Sequence, residues 1–234
     1  MFSIIIPTLN EEDNIYKVVK QFDNYKNKYN LEIIISDSGS SDNTVELSTK
    51  IADNVVVYKK KKCNISKARN YGAKFASNNI LIFLDADMQV PDIELFFETL
   101  KNQFINSNLI AVSPRITVNP NYENFTDKFV HLIILLISNI MNFIGFGYSR
   151  GGCQIIKKKY FDLTNGYNEE YVAGEDVDLF RRIRKFGKTS IFNLVNIYES
   201  PRRYRKLGYI KVLFLWFMNW LFIVIFKKTF SSKW

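Results

Sequence analysis

The chain has 234 residues, 47% of them hydrophobic, with 32 Lys and Arg against 23 Asp and Glu for a net charge of +9. That length suits one large α/β domain or two small ones, and no Pro/Gly/Ser-rich linker, low-complexity tract or internal repeat divides it, so one domain with a tail is expected. The positive balance suits polyanions, but the basic residues are dispersed or sit beside an apolar C-terminus, which argues against nucleic acid and for lipid or diphosphate.

Residues 3–7 (Ser3-Ile4-Ile5-Ile6-Pro7) read as a short, continuously apolar strand of the buried parallel kind rather than a signal peptide, because a polar turn follows at once. Thr8-Leu9-Asn10-Glu11-Glu12-Asp13-Asn14 turns into a helix with acids in its first turn, expected to run to about residue 29. A second apolar strand at 31–35 ends in the polar loop Ser36-Asp37-Ser38-Gly39-Ser40-Ser41-Asp42, and Ser41 or Asp42 is the expected cap of the next helix. A third strand at 54–58, a helix at 65–76 and a fourth strand at 80–84 follow. The run of four lysines at 59–62 reads as a solvated loop.

Four strand–helix repeats predict a parallel sheet covered by helices on both faces. Ligands of such sheets bind beyond the carboxyl ends of the strands. Pro7, Thr8 and Asn10, then Asp37, then Asp85-Ala86-Asp87 each follow a strand, so three loops converge on one crevice. The last triplet is the most informative. A strand that buries five apolar residues and then delivers two carboxylates one residue apart is poor packing but good chemistry for a hard divalent cation, Mg²⁺ or Mn²⁺.

Ile5-Ile6-Pro7-Thr8-Leu9-Asn10-Glu11-Glu12, Ser36-Asp37-Ser38-Gly39-Ser40-Ser41-Asp42, Lys67-Ala68-Arg69-Asn70-Tyr71-Gly72-Ala73 and Asp85-Ala86-Asp87 resemble, in order and spacing, the family 2 glycosyltransferases of the GT-A (Rossmann-like) fold, which implies a mostly parallel sheet flanked by helices. Gly151-Gly152, Gly166-Tyr167-Asn168-Glu169 and Gly174-Glu175-Asp176-Val177-Asp178 continue the likeness, which covers about residues 1–205. It implies transfer of a sugar from a UDP- or GDP-linked donor with inversion at the anomeric carbon. It also implies a donor-binding half at 1–115, an acceptor half at 116–205 and a basic, hydrophobic tail at 206–234.

By this resemblance Pro7, Thr8, Asn10 and Glu11 form the first nucleotide loop. Asp37 accepts a hydrogen bond from the base, a sensible reader of the uracil N–H. Lys67 and Arg69 reach the diphosphate or orient the acidic loop. Asp85 and Ala86 contact the donor, Asp87 is the principal metal ligand and Asp85 an auxiliary one. Asp176 is expected as general base, with Glu175 in support and Asp178 structural. Lone His131, inside an apolar run, is expected to be a buried structural side chain.

Arg202, Arg203 and Arg205 are expected either to clamp the donor diphosphate or to form a juxtamembrane basic patch. The Q-x-x-R-W motif of processive relatives is absent, which argues against a polysaccharide synthase. Two apolar stretches, at 129–146 and 207–226, bear on location. The second approaches the 20 or so residues of a membrane span, and its basic flanks and aromatic content suit the interface almost as well. The expected location is therefore the cytoplasmic face of the cell membrane, peripheral or single-span. Cys63 and Cys153, far apart and without metal-ligand spacing, fit reduced thiols there. The expected acceptor is a lipid-linked or cell-surface glycan precursor. The alternatives are a polyprenyl-phosphate glycosyl synthase and a non-catalytic, membrane-anchored nucleotide-sugar-binding protein.

Overall fold

The computed structural model describes residues 1–58 and 63–231, and the lysine run at 59–62 lies outside the described residues. Strand β1 (Phe2–Thr8) is followed by α1 (Glu12–Lys20), the single turn α2 (Lys26–Tyr29) and β2 (Leu31–Asp37). Next come α3 (Thr44–Thr49), β3 (Asn54–Val57), α4 (Ile65–Ala73), β4 (Ile80–Leu84), α5 (Ile93–Thr99) and β5 (Leu109–Val118). The remainder comprises α6 (Phe125–Phe143), β6 (Cys153–Lys157), α7 (Lys158–Leu163), α8 (Glu175–Ile183), β7 (Lys188–Glu199), α9 (Arg202–Leu207) and α10 (Tyr209–Phe226).

The helix expected to reach residue 29 stops at Lys20. There Gln21 turns aside, its side-chain amide donating to the Val18 carbonyl and its oxygen accepting from the Val90 amide at 2.8 Å. The chain bends so that Phe22 and Tyr29 both pack on Phe97, with the Tyr29 and Phe97 rings stacked at 4.7 Å.

Among the described residues the strands form one sheet in the order β3-β2-β1-β4-β6-β5-β7. The first four are parallel, as expected, and β5 and β7 are parallel to each other. Strand β6 runs against both β4 and β5, so the sheet is mostly rather than wholly parallel, as the resemblance implies. Both halves of the chain thus share one sheet. Alternation along the strands feeds two cores. Ile4 and Ile6 face one cluster with Val19, Phe22 and Phe97, whereas Ile5 and Phe83 face another with Phe161, Tyr167 and Leu179. Burying each such side chain contributes roughly 1.5–3 kcal/mol, which fixes the strand register and hence which residues emerge together at the strand ends.

Helices α6 and α10 are long and apolar enough to cross a membrane by length and composition. Both lie against the domain, and both leave large apolar side chains exposed.

Candidate active site

The β1–β2 register pairs Thr8 with Asp37 at the carboxyl ends of the two strands. Asp37 is buried, and its carboxylate accepts from the Thr8 hydroxyl at 3.0 Å, from the Gly39 and Ser40 amides at 2.8 Å each, and from the Ser40 hydroxyl. An acid so engaged holds the loop in shape. Asn10 adopts a left-handed φ of 54°, which Asn tolerates better than most residues, and its side-chain oxygen accepts from the Ser41 amide at 2.8 Å. Asp42 accepts from the Thr44 amide at 3.0 Å and the Glu12 amide at 3.2 Å, doing the work of a cap although Asn43 occupies the cap position of α3. The two nucleotide-side loops are thereby stitched into one surface, with Pro7 buried beneath it.

Arg69, on α4, is the hub. It is 1% exposed, and its fork donates to Glu175 at 2.8 Å, to Asp85 at 2.7 Å and to the Gly151 carbonyl at 3.1 Å. Its guanidinium also sits 5.2 Å from the Tyr167 ring centroid, while Nε is buried without a partner. Burial alone would weaken its charge, but Asp85, Tyr167 and Glu175 more than offset this and raise its pKa above that of an ordinary arginine. A planar five-donor fork can hold two acids and a carbonyl at once, which a lysine cannot. Lys67, two residues earlier, is half-buried, and its amide donates to the α4 cap Asn64 at 2.9 Å.

The acidic loop is pinned on both sides. The Asp85 amide donates to the Gly152 carbonyl at 3.0 Å, and Gln89 and Tyr198 exchange backbone hydrogen bonds at 2.9 and 2.8 Å. A Cβ at Gly152 would lie 2.1 Å from the Met88 methyl, so a larger residue there would have to displace the Met88 side chain. Ala86 is buried between the two acids, and Asp87 opens toward the crevice. Burial, then the charge of Asp85, push the Asp87 carboxyl up to about 6.

Helix α8 begins at Glu175, immediately after Gly174, whose φ of 76° suits glycine. Glu175 is held by Arg69, and Asp176 beside it is half-buried at the helix start, with one oxygen accepting from the Val177 amide at 2.8 Å. Burial and then Glu175 push Asp176 up to about 7, against the helix terminus, which favours the anion. Asp178 points away and pairs with Arg182 at 2.7 Å, in keeping with its structural reading.

The three arginines of the α9 segment separate. Arg202 reaches into the crevice, 3.0 Å from Glu11 and 3.3 Å from Asp87. Arg205 does not join it. Asp127 is wholly buried and demands a counter-charge, so Arg205 turns to it and leaves the crevice. Arg203 is exposed at the start of α9. His131 is buried, its ring nitrogens facing the Asp127 carbonyl at 2.8 Å and Glu199 at 2.7 Å.

Two contributors have roles that the sequence does not state. The Gly151 carbonyl completes the Arg69 cradle, and Arg150 braces the same turn by donating to both Glu199 oxygens at 2.6 and 2.8 Å. The Gly-Gly pair before an apolar strand is the one hint, since it marks a close backbone approach.

An oxygen-only pair of acids with a raised carboxyl fits a hard cation, which would relieve the field around Asp87. Among the described residues no group of three or more His, Cys, Asp or Glu gathers as a closed metal site. Any ion at Asp87 and Asp85 would therefore complete its shell with water and substrate oxygens.

Comparison with known proteins places this geometry. Residues 3–163 match the glycosyl transferase family 2 profile. A dolichol-phosphate mannosyltransferase from Pyrococcus furiosus is 31% identical over 128 residues, covering 53% of this chain and 35% of that protein. A 4,4'-diaponeurosporenoate glycosyltransferase from Staphylococcus haemolyticus is 25% identical over 177 residues, covering 70% of this chain and 46% of that one. The chain thus spans less than half the length of either relative. In fold it is similar to the mannosyltransferase PcManGT from Pyrobaculum calidifontis, solved with GDP-Man and Mn²⁺, at a TM-score of 0.67 and 19% identity over 85% of this chain and 56% of that one. It is also similar to S. aureus TarS 1-349, solved with UDP-GlcNAc, at a TM-score of 0.65 and 18% identity over 85% of this chain and 58% of that one. With its matched strands, converging loops and acidic crevice, the chain belongs to glycosyl transferase family 2 and has the GT-A fold.

Proposed function

We propose that this protein moves a sugar from a nucleoside diphosphate to a hydroxyl acceptor with inversion. The observation that carries the proposal is the Arg69 bridge. It ties the acidic loop at Asp85 to Glu175, so that Asp176 stands beside the mouth of the site with a carboxyl poised near neutrality. Such an acid can take a proton at working pH and release it afterwards.

Asp176 accepts the proton of the acceptor hydroxyl as its oxygen attacks the anomeric carbon. The new C–O bond forms on the face opposite the diphosphate, and the bond to the diphosphate oxygen breaks. A divalent cation, Mg²⁺ or Mn²⁺, held by Asp87 with Asp85 would supply charge to the departing diphosphate. Pro7, Thr8, Asn10, Glu11 and Ala86 form the donor cradle, and Asp37 both shapes the loop and presents its edge to the base. Lys67 is assigned to the diphosphate side. Arg202 exchanges Glu11 and Asp87 for the diphosphate when donor arrives. In this reading residues 1–115 supply the donor side, 116–205 the acceptor side, and 206–234 hold the protein at the cytoplasmic membrane face, where a lipid-linked or cell-surface glycan precursor is the acceptor.

The test is turnover of a panel of UDP- and GDP-sugars, with and without Mn²⁺, by wild type and Asp87→Ala. Metal-dependent turnover of a donor, lost in the variant, is expected. Nucleotide binding without turnover, even with membrane lipids supplied, would replace the enzyme with a sugar-nucleotide-binding protein. No binding would overturn the reading.

The likeness to a dolichol-phosphate mannosyltransferase favours a second reading, a polyprenyl-phosphate acceptor. A phosphate acceptor already carries its negative charge and needs no strong base. Under that reading Asp176→Asn keeps its rate.

A further inference from the structure

Helices α6 and α10 lie side by side and run the same way. The rings of His131 and Tyr209 meet at 6.3 Å near their starts, and those of Phe146 and Trp220 meet at 6.3 Å beyond the end of α6. A surface helix usually turns apolar side chains to the domain and polar ones to water, but each of these buries polar side chains beside apolar ones such as Ile134 and Ile223 and leaves large apolar ones exposed. On α6, His131, Ser138 and Asn142 are buried, while Phe129, Leu136, Ile140 and Phe143 are exposed. On α10, Asn219 is 1% exposed, whereas Ile210 is 88% exposed and Phe214, Phe217 and Phe226 are each more than half exposed. Two adjacent stripes of this kind make one apolar surface much broader than the scattered exposed residues of an ordinary monomer.

The charge around this surface says what covers it. Residues 200–234 hold eight Lys and Arg and no Asp or Glu. Lys206 and Lys211 flank the start of α10, Lys227 and Lys228 its end, and all four are exposed. An apolar face rimmed by cations fits the headgroup and acyl boundary of an anionic bilayer. A second copy of a chain with a net charge of +9 would bring like charges together instead.

The end of α10 argues for the depth. Lys227 turns the chain with a left-handed φ of 56°, and the segment after it doubles back until the Ser231 amide donates to the Asn219 oxygen at 3.0 Å. The Asn219 amide in turn donates to the Ser231 hydroxyl at 2.8 Å. A spanning α10 would strand this non-helical return in hydrocarbon, where unpaired backbone is not tolerated. It would also pull Ile223 and Asn219 away from Gly174, at whose position a Cβ would lie 2.8 Å from the Ile223 methyl and 3.8 Å from the Asn219 Cβ.

We infer that α6 and α10 are paired rails that seat the domain in the plane of an anionic bilayer surface, and that α10 transmits this seating to the loop before Glu175 through Ile223 and Asn219. The seating stands without the transfer chemistry, and only the meaning of the coupled loop rests on it.

The test uses the full chain with vesicles of phosphatidylcholine alone or mixed with phosphatidylglycerol. Cosedimentation with the mixed vesicles, weakened by salt, is expected. The double variant Phe129→Glu/Leu136→Glu leaves α10 untouched and removes two apolar anchors, so its binding should fall at least about tenfold. Its melting temperature should remain that of wild type. Hydrogen exchange supplies the second readout. Vesicles should slow amide exchange across residues 168–178 in wild type, whereas Ile223→Ala should bind vesicles without that protection. Undiminished binding by the α6 double variant would overturn the paired surface. So would a wild-type dimer that this variant dissociates. Resistance of the cellular protein to alkaline carbonate extraction would overturn the in-plane seating. Equal protection in wild type and Ile223→Ala would overturn the coupling.

Discussion

Two regions of this molecule are each built around an arginine, and they treat their acids in opposite ways. Around Arg150, Glu199 accepts from the guanidinium, from the His131 ring nitrogen at 2.7 Å and from the Tyr204 hydroxyl at 2.8 Å. Burial alone would raise Glu199, but Arg150 and His131 overcome it and hold the acid near 2. Neighbouring Asp127 is likewise held near 2 against burial by hydrogen bonds from Arg205 and Tyr209. Around Arg69 the same fork is shared between two acids, and the carboxyls next to them, Asp87 and Asp176, are pushed up to about 6 and about 7. One region is electrostatically closed and braces the fold. The other is left with excess negative charge, which a cation beside Asp87 or a proton on Asp176 would relieve.

Substitutions sharpen the contrast. Asp176→Asn should lower donor turnover onto a hydroxyl acceptor by roughly 10²–10⁴-fold, the usual worth of a positioned base. Its melting temperature should be unchanged or higher, because a strained acid is removed. Thermal unfolding beside a turnover assay reads both. Glu199→Gln should do the reverse. Breaking a buried ion pair costs about 3–5 kcal/mol, which for a chain of this size lowers Tm by roughly 10 °C, while the folded fraction keeps its donor affinity. Calorimetry and nucleotide titration check it.

Arg69→Lys should fall between these. A point charge cannot serve Asp85, Glu175 and the Gly151 carbonyl together, so both stability and turnover should drop. Restored function in a Lys variant would show that charge alone suffices at this position. The smallest effect is that of acid. Glu199 and Asp127 have folded pKa values depressed below their ordinary ones, so their stabilisation is present above about pH 4.5 and lost as pH falls toward about 2. Stability should decline across that window, and less steeply in Glu199→Gln, as denaturant titrations at several pH values would show.

Much of the crevice was legible in the sequence, because apolar strands followed by polar turns put Thr8, Asp37 and Asp85 at neighbouring strand ends. The pairing of Thr8 with Asp37 needs nothing beyond that pattern. The bracing region was not legible. Arg150 and Glu199 are 49 positions apart, and His131 and Glu199 are 68 apart, so no local spacing announces them. The reversed strand β6 hides for the same reason, since an apolar run does not state its direction. The pairing of Arg205 was not legible either, because a cluster of three arginines does not reveal which one a buried Asp127 captures. The contact of α10 with Gly174 depends on tertiary docking of a helix that reads, in sequence, as a tail.

The most direct test of the excess-charge account is the pH profile of metal-supported donor turnover for wild type and Asp176→Asn. Asp176 is raised, so its basic form is lost as pH falls through about 7. Wild-type kcat/KM should therefore decline below that point, while the variant should be slow and lack the transition. A variant that turns over at the wild-type rate with the same profile would contradict Asp176 as the base.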